Sequence, residues 1–326
     1  MTEMAARRST MSEVPERTLR SLLLTMSHQR WLGDVATRLP VTRRMVGRFV
    51  SGQTLDEALD TLTALRAAGM LTTVDVLGES VRSAEDASAA VERYLRTLDA
   101  LAARGLARNV SLKLSQMGLA LDGAVCRENV ARIFRRAAEL DAFVRIDMED
   151  HTTVDATLGL YRDLRSLNPA SGVVIQSGLR RSASDVESLI SERVPVRLCK
   201  GAYKEPASVA FVEKSEVDRS YLALMERLLK DGAYTALATH DERIVGRAVA
   251  FARAEGIGRE RFEFQMLYGI RRDLQERLAA AGYTVRIYVP YGTEWYPYFM
   301  RRLAERPANV AFLLRSVLRE GGRPKG

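Results

Sequence analysis

Short β-branched or apolar runs recur along this chain, and helical periodicity fills the gaps between them. The runs fall at 71–79 (LTTVDVLGE), 109–115 (NVSLKLS), 142–149 (AFVRIDME), 172–176 (GVVIQ), 194–200 (VPVRLCK), 235–240 (TALATH), 262–267 (FEFQML) and 284–289 (TVRIYV). Each has the length and residue types of a strand. Apolar residues three and four apart predict helices over 84–103, 126–140, 153–166, 182–192, 214–232, 241–255 and 271–281, several opening on Asp, Ser or Thr and closing near Gly. Before the first run, Leu22, Leu23, Met26, Val41, Met45, Val46, Phe49, Leu55, Leu59, Leu62 and Leu65 keep helical spacing. An N-terminal helical arm over 1–68, its first 20 residues polar, is therefore expected ahead of a domain over 69–326.

Alternation of strand and helix predicts a parallel sheet, and eight repeats close a (β/α)8 barrel of the TIM type more naturally than they fill an open sheet. No GxGxxG follows the first run, which argues against a dinucleotide-binding open sheet. In such a barrel the chemistry gathers at the C-terminal ends of the strands. Those positions carry Asp75 and Glu79; Lys113 and Ser115; Asp147, Glu149, Asp150 and His151; Gln176; Arg197 and Lys200; Thr239 and His240; Gln265 and Tyr268; and Tyr288. An ionisable group inside an apolar strand is costly unless paired, so Lys113, Asp147 and Arg197 either form barrel ion pairs or serve a site. Eight strands ending in polar groups favour a site.

The last unit concentrates the signal. Val285, Ile287 and Val289 alternate with Arg286 and Tyr288, and Pro290 and Gly292 are expected to end the strand. Thr293 suits an N-cap, with Glu294 in the first turn of a helix that tolerates Pro297 near its start. Along it Tyr298, Arg301, Arg302 and Glu305 share a face. Two guanidiniums there suit a small carboxylate, although a solvated basic face has the same pattern.

At 326 residues and 47% hydrophobic content the chain can bury one large core or two ordinary ones. The net charge of +8 comes from Arg scattered among acids, with six Lys, which argues against a nucleic-acid stripe. Two cysteines, Cys126 and Cys199, make no disulfide framework, and no CxxC or HxxxH spacing suggests a metal. No apolar run reaches the roughly 18 residues of a membrane span, and no secretory signal is present. A cytoplasmic location is expected.

The segments VRLCKGAYKEP (196–206), KLS (113–115), RIDME (145–149), VIQ (174–176), ATHDE (238–242), QMLYGIR (265–271) and RIYVPYG with YPYFMRR (286–302) together resemble the flavin-dependent proline dehydrogenase family. The resemblance runs from DVLGE (75–79) through Arg302, in the right order, one motif per barrel unit. It implies noncovalent FAD, oxidation of L-proline to Δ1-pyrroline-5-carboxylate, and electrons passed to a quinone. By the family pattern Arg301, Arg302 and Lys113 hold the substrate carboxylate, Asp147 fixes their aim, and Tyr203 and Tyr288 wall the ring. Arg197 corresponds to the Arg near flavin N5. Met148, Gln176, Lys200, Gly201, Ala202, Thr239 and His240 match cofactor-contacting positions, and Glu79 matches an acid that pairs with Arg301 and closes the pocket. Asp147 and Arg197 are the candidate catalytic residues, with no general base evident. His151 matches no position to which the family pattern gives a role.

The chain ends about 20 residues beyond the Arg pair, so a one-step enzyme is expected, its product passing to a separate pyrroline-5-carboxylate dehydrogenase. A weak peripheral contact with an anionic membrane is compatible with reduction of a lipid-soluble quinone. The competing reading within the same fold is a barrel acting on a phosphorylated small molecule, against which stands the lack of a Gly-rich turn at Gln265–Met266–Leu267–Tyr268.

Overall fold

A computed structural model describes residues 46–78, 81–203 and 205–305, with only the backbone of residues 301 and 303–305. Most of the arm expected over 1–68 lies outside the described residues, as does Glu79. The chain divides into one compact unit, Gly47–Trp295, and a second made of residues 1–46 and 296–326.

The first unit is a closed parallel barrel. Its strands are β1 (Leu71–Val76), β2 (Asn109–Leu112), β3 (Phe143–Ile146), β4 (Ser171–Gln176), β5 (Val196–Cys199), β6 (Thr235–Ala238), β7 (Phe262–Leu267) and β8 (Val285–Tyr291), paired in sequence order with β8 returning to β1. The helices are α1 (Leu55–Ala67), α2 (Ala84–Ala103), α3 (Gly123–Glu139), α4 (Val154–Leu164), α5 (Ser182–Ser191), α6 (Lys214–Asp231), α7 (Glu242–Ala254) and α8 (Arg272–Ala280). All eight expected strands and seven expected helices are present. The start of α3 differs by three residues: Asp122 Oδ1 accepts the backbone N–H of Ala124 at 2.6 Å and of Val125 at 3.2 Å, so the helix begins where its cap sits rather than where its apolar stripe begins.

Every strand is buried on both faces, but the two faces differ in chemistry. Outward positions such as Val74, Val110, Leu112, Val144, Ile146, Val196, Leu198, Phe264 and Ile287 are apolar and form the core with the helices. Inward positions alternate with them and on six strands are polar, namely Thr73 and Asp75, Ser111, Arg145, Arg197, Glu263 and Gln265, and Arg286, whereas β4 and β6 place Gly172, Val174 and Ala236 there. The barrel interior is thus a hydrogen-bonded network rather than the aliphatic filling more usual for this fold.

Its lower layer is held by charge. Arg286 Nε lies 2.8 Å from Glu263 Oε1, the Tyr234 hydroxyl donates to Glu263 Oε2 at 3.1 Å, and Arg286 Nη1 donates to the Thr72 carbonyl at 3.0 Å. Burial pushes the Glu263 carboxyl up, but the Arg286 charge and the donors around it hold it below its ordinary value. Arg145 reaches across to the carbonyls of Val173 at 3.1 Å and Pro195 at 2.9 Å. Gly172 makes room for it, since a Cβ there would stand 2.7 Å from Arg145 Nη1 and 2.3 Å from the Pro195 carbonyl. Burial, with the nearby Arg197 charge, lowers the Arg145 pKa to about 9.

Two expectations at the last unit are corrected. β8 does not stop at Pro290 but continues to Tyr291, with Pro290 registered against Asp75. Proline has no N–H to give, but its carbonyl still accepts Ser51 N–H at 2.9 Å. The following helix, α9, spans Trp295–Glu305, so Thr293 and Glu294 both precede it and Pro297 occupies its third position. β7 runs over Phe262–Leu267 as expected, and the turn beyond it contains Gly269 at φ +74°. A Cβ there would meet the Arg48 carbonyl oxygen at 1.7 Å, so that turn is filled by neighbouring backbone rather than open to a phosphate.

Candidate active site

Lys113, Asp147, Arg197 and Tyr288, from four different strand ends, meet in one cluster inside the barrel mouth. Arg197 Nη1 donates to Asp147 Oδ1 at 2.7 Å, and the Tyr288 hydroxyl donates to Asp147 Oδ2 at 2.8 Å. Lys113 Nζ lies 3.6 Å from the same Oδ2 and donates to the Tyr288 oxygen at 3.3 Å. The second carboxylate is Asp75, 1% exposed, whose Oδ1 accepts from Lys113 Nζ at 2.9 Å. Two cations therefore face two carboxylates. Burial and the Asp147 charge push the Tyr288 phenol well above its usual range, so it stays protonated and donates.

Arg197 has a full set of neighbours. Its Nη2 donates to Ser111 Oγ at 2.9 Å and its Nε to Gln265 Oε1 at 2.5 Å, while the guanidinium carbon sits 5.3 Å from the Tyr288 ring centroid. The Gln265 amide in turn donates to Glu263 Oε1. One chain of hydrogen bonds thus links the Glu263–Arg286 layer to the Asp147 cluster and fixes Arg197 in direction as well as position.

The other predicted residues line the rim. Met148 and Gln176 are buried, and Gln176 Nε2 donates to the Glu149 carbonyl at 2.6 Å. The Glu149 carboxylate accepts from Ser115 N–H at 2.9 Å and Ser115 Oγ at 2.5 Å. Gly201 adopts φ +102° and packs so closely on Gln176 that a Cβ would stand 2.7 Å from Gln176 Oε1. Ala202 and Tyr203 follow on the same loop, both half-buried. Lys200 Nζ lies between Asp218 Oδ1 at 2.6 Å and Asp241 Oδ2 at 3.4 Å, so its charge is already matched by two carboxylates. Thr239 Oγ1 accepts the Asp241 N–H at 3.1 Å, and His240 Nε2 accepts the Leu267 N–H at 2.9 Å. An Nε2 that accepts leaves Nδ1 as the protonated nitrogen of a neutral ring.

The Arg pair is separate from this description. Arg302 lies on α9 in the second compact unit, where its guanidinium carbon is 5.2 Å from the Tyr298 ring centroid. Glu79 and the Arg301 side chain lie outside the described residues. Ser111 and Glu263 were not singled out from the sequence, yet a signal for both exists. Each stands two residues before a strand-end polar group, Lys113 and Gln265, and so shares its inward face.

Comparison with known proteins decides the family. The profile described as proline dehydrogenase matches residues 58–315. The chain belongs to the proline dehydrogenase family. It is 44% identical to the proline dehydrogenase of Deinococcus radiodurans over 277 residues, which is 83% of this chain and 89% of that one. Proline dehydrogenase 1 of Bacillus subtilis strain 168 is 40% identical over 302 residues, covering 93% of this chain and all of the relative. Among solved structures, proline utilization A from Bdellovibrio bacteriovorus superposes with a TM-score of 0.75 at 28% identity over 80% of this chain, and the match spans only 32% of that longer protein. The closed eight-strand barrel agrees with that likeness. Among the described residues, no helix is long and apolar enough to cross a membrane, and no group of three or more His, Cys, Asp or Glu is placed to hold a metal.

Proposed function

We propose that this proline dehydrogenase family member oxidises L-proline to Δ1-pyrroline-5-carboxylate at the barrel mouth with noncovalent FAD, the first step of proline catabolism to glutamate. The observation that carries the reading is the convergence of Lys113, Asp147, Arg197 and Tyr288 on one point at the ends of β2, β3, β5 and β8. Bound FAD supplies the acceptor for the hydride that leaves the ring carbon next to the substrate nitrogen.

The rim fits such a group. Gly201 brings bare backbone to the surface, and Arg197 fixes a cation on the strand that leads to it. A groove of about 780 Å³ between α6 and α7 is lined by Lys214, Arg219, Arg243 and Arg247 together with Asp218, Glu226 and Asp241, an excess of one positive charge on the side offered to phosphates. In this reading Met148, Gln176, Lys200, Gly201, Ala202, Thr239 and His240 hold the cofactor. Lys200, already shared between Asp218 and Asp241, serves mainly to fix its loop.

Charge counting assigns the remaining roles. Lys113 and Arg197 are balanced by Asp75 and Asp147, so the cluster has no surplus positive charge for a substrate carboxylate. Arg301 and Arg302 provide it, with Lys113 as the third donor and Glu79 as the gate that pairs with Arg301. Tyr203 and Tyr288 wall the proline ring. Both oxygens of Asp147 are engaged by Arg197 and Tyr288, which makes it a positioning carboxylate, and the proton on the substrate nitrogen leaves to solvent.

Electrons pass on to a quinone, reached through a salt-sensitive contact with an anionic membrane surface, and the product passes to a separate pyrroline-5-carboxylate dehydrogenase. The test is steady-state reduction of an artificial electron-accepting dye by the purified protein. L-proline should support it and heat denaturation should release FAD; protein that contains no flavin and shows no proline-dependent dye reduction refutes the reading.

A further inference from the structure

His151 is one of the strand-end residues that the cluster leaves out. It opens a single 3-10 turn, His151–Thr153, after β3, where Asp150 Oδ1 accepts the Thr152 N–H at 2.9 Å. The His151 backbone N–H donates to Glu205 Oε1 at 3.0 Å, and its ring Nδ1–H donates to Oε2 of the same carboxylate. Glu205 belongs to a different loop, the one after β5, and its side chain is only 8% exposed. A carboxylate that far from water is costly unless its donors are held in place, and both donors here come from one residue of a neighbouring loop.

What lies between the ends of that loop gives the contact its meaning. Residues 201–203 form an arch that carries Gly201, Ala202 and Tyr203. At the near end the Gly178 N–H donates to the Lys200 carbonyl at 2.9 Å, and Gly201 packs on Gln176. Farther along, the Arg180 N–H donates to the Val209 carbonyl at 2.9 Å and the Phe211 N–H to the Gly178 carbonyl at 2.8 Å. Those bonds tie both flanks of the loop to the turn after β4. Glu205, two residues past Tyr203, ties the arch itself to the turn after β3.

We propose that His151 and Glu205 form a clasp between the β3 and β5 loops that positions the arch carrying Tyr203, making both of them positioning residues for substrate binding. This rests on the reading of Tyr203 as a wall of the proline pocket. With the clasp closed, Tyr203 is held over the mouth; with it open, Glu205 turns to water and the arch samples other conformations. Substrate then binds a state that is only partly populated, and apparent affinity falls by that fraction while the reacting groups on the strand ends are untouched.

The bonding pattern predicts an order of effects. His151→Ala removes the ring donor but keeps the backbone N–H bond, whereas Glu205→Ala removes both. In the FAD-loaded enzyme, KM for L-proline should rise about threefold in the first and about ten- to thirtyfold in the second, with kcat at saturation within about twofold of the parent. The double variant should match Glu205→Ala alone, and Glu205→Gln, which keeps one acceptor oxygen, should recover part of the loss. Amide hydrogen exchange across residues 200–206 reads the clasp without substrate, and should quicken in both single variants. Unchanged exchange, additive KM effects, or quickened exchange with no change in KM would each overturn the proposal. A parent holoenzyme inert to proline would instead overturn the functional reading, and the exchange measurement would still decide whether the clasp exists.

Discussion

The Tyr288 hydroxyl donates to Asp147 Oδ2 at 2.8 Å, joining the last strand of the barrel to the third across its mouth. With Arg197 on Oδ1 at 2.7 Å and Lys113 at 3.6 Å, this makes Asp147 the anion around which the cluster is assembled. A carboxylate so placed sets the direction of its neighbours, and both of its oxygens are occupied in doing so.

Asp147→Asn should therefore do more harm than the loss of a single contact. Removing one partner of a buried ion pair typically costs about 3–5 kcal/mol, because the remaining charges stay buried. Here the uncompensated charges are Arg197 and Lys113, with Asp75 still paired to Lys113 at 2.9 Å. Thermal unfolding should shift well below the parent, and kcat/KM for L-proline should fall at least about a hundredfold as Arg197 loses its aim. A folded variant with parental kcat/KM would show that the cluster does not organise the site.

Arg302→Ala tests the clamp. A guanidinium–carboxylate pair is worth about 2–3 kcal/mol where it is charge-assisted, which corresponds to a rise in KM for L-proline of about 30- to 150-fold. The effect should be largely confined to KM, since the carboxylate is gripped alike before and during the reaction. If KM is unchanged, Arg302 is a surface residue of the last helix.

The Glu263 carboxyl provides a pH signature. Its pKa in the folded protein is lowered, burial being outweighed by Arg286 and by the donors of Arg286 and Gln265. A carboxyl with a depressed folded pKa adds stability that is fully present above its unfolded value of about 4.3 and is lost as pH falls through the folded value. Glu263→Gln should accordingly unfold at markedly lower denaturant than the parent at pH 7, with the gap narrowing as pH drops below about 4. A gap that widens towards acid would mean that Glu263 is strained rather than stabilised by its partners.

Gly201→Ala combines a left-handed backbone with a contact of 2.7 Å to Gln176, so either the arch or Gln176 must move. Sparsely allowed backbone conformations cost roughly 1–3 kcal/mol each. The variant should fold, since Gly201 is exposed and the core is untouched, but should retain less flavin through purification than the parent. Equal flavin content and equal stability would show that the loop tolerates a side chain there.

Much of this arrangement was legible in the order of residues. Period-2 apolar runs separated by helical spacing give a parallel barrel with few alternatives, and the helix over 84–103 falls at the expected boundaries. Strand ends were less well placed, because residues such as Lys113 and Asp147 sit one residue past the ends of β2 and β3 and turn inward at the rim. Lys113, Asp147 and Arg197 stood out because charge is costly in apolar strands, and Tyr288 by its place at the end of the last one. Asp75 was read only as one of the strand-end polar groups, and no pattern in the sequence said that it, rather than Asp147, is the nearer partner of Lys113; that follows from the parallel pairing of β1 with β2. Lys200 shows the opposite limit. Its neighbours Asp218 and Asp241 arrive from α6 and from the start of α7, elements far along the chain, so neither residue spacing nor composition indicated that its charge was already matched.

The central claim is that the barrel mouth holds L-proline against bound flavin, and the most direct measurement is an anaerobic titration of the purified holoenzyme followed by its visible spectrum. The account predicts that L-proline bleaches the flavin band in proportion to enzyme, and that the Arg302→Ala variant needs a much higher concentration for the same change. A flavin spectrum unmoved by saturating L-proline would contradict it.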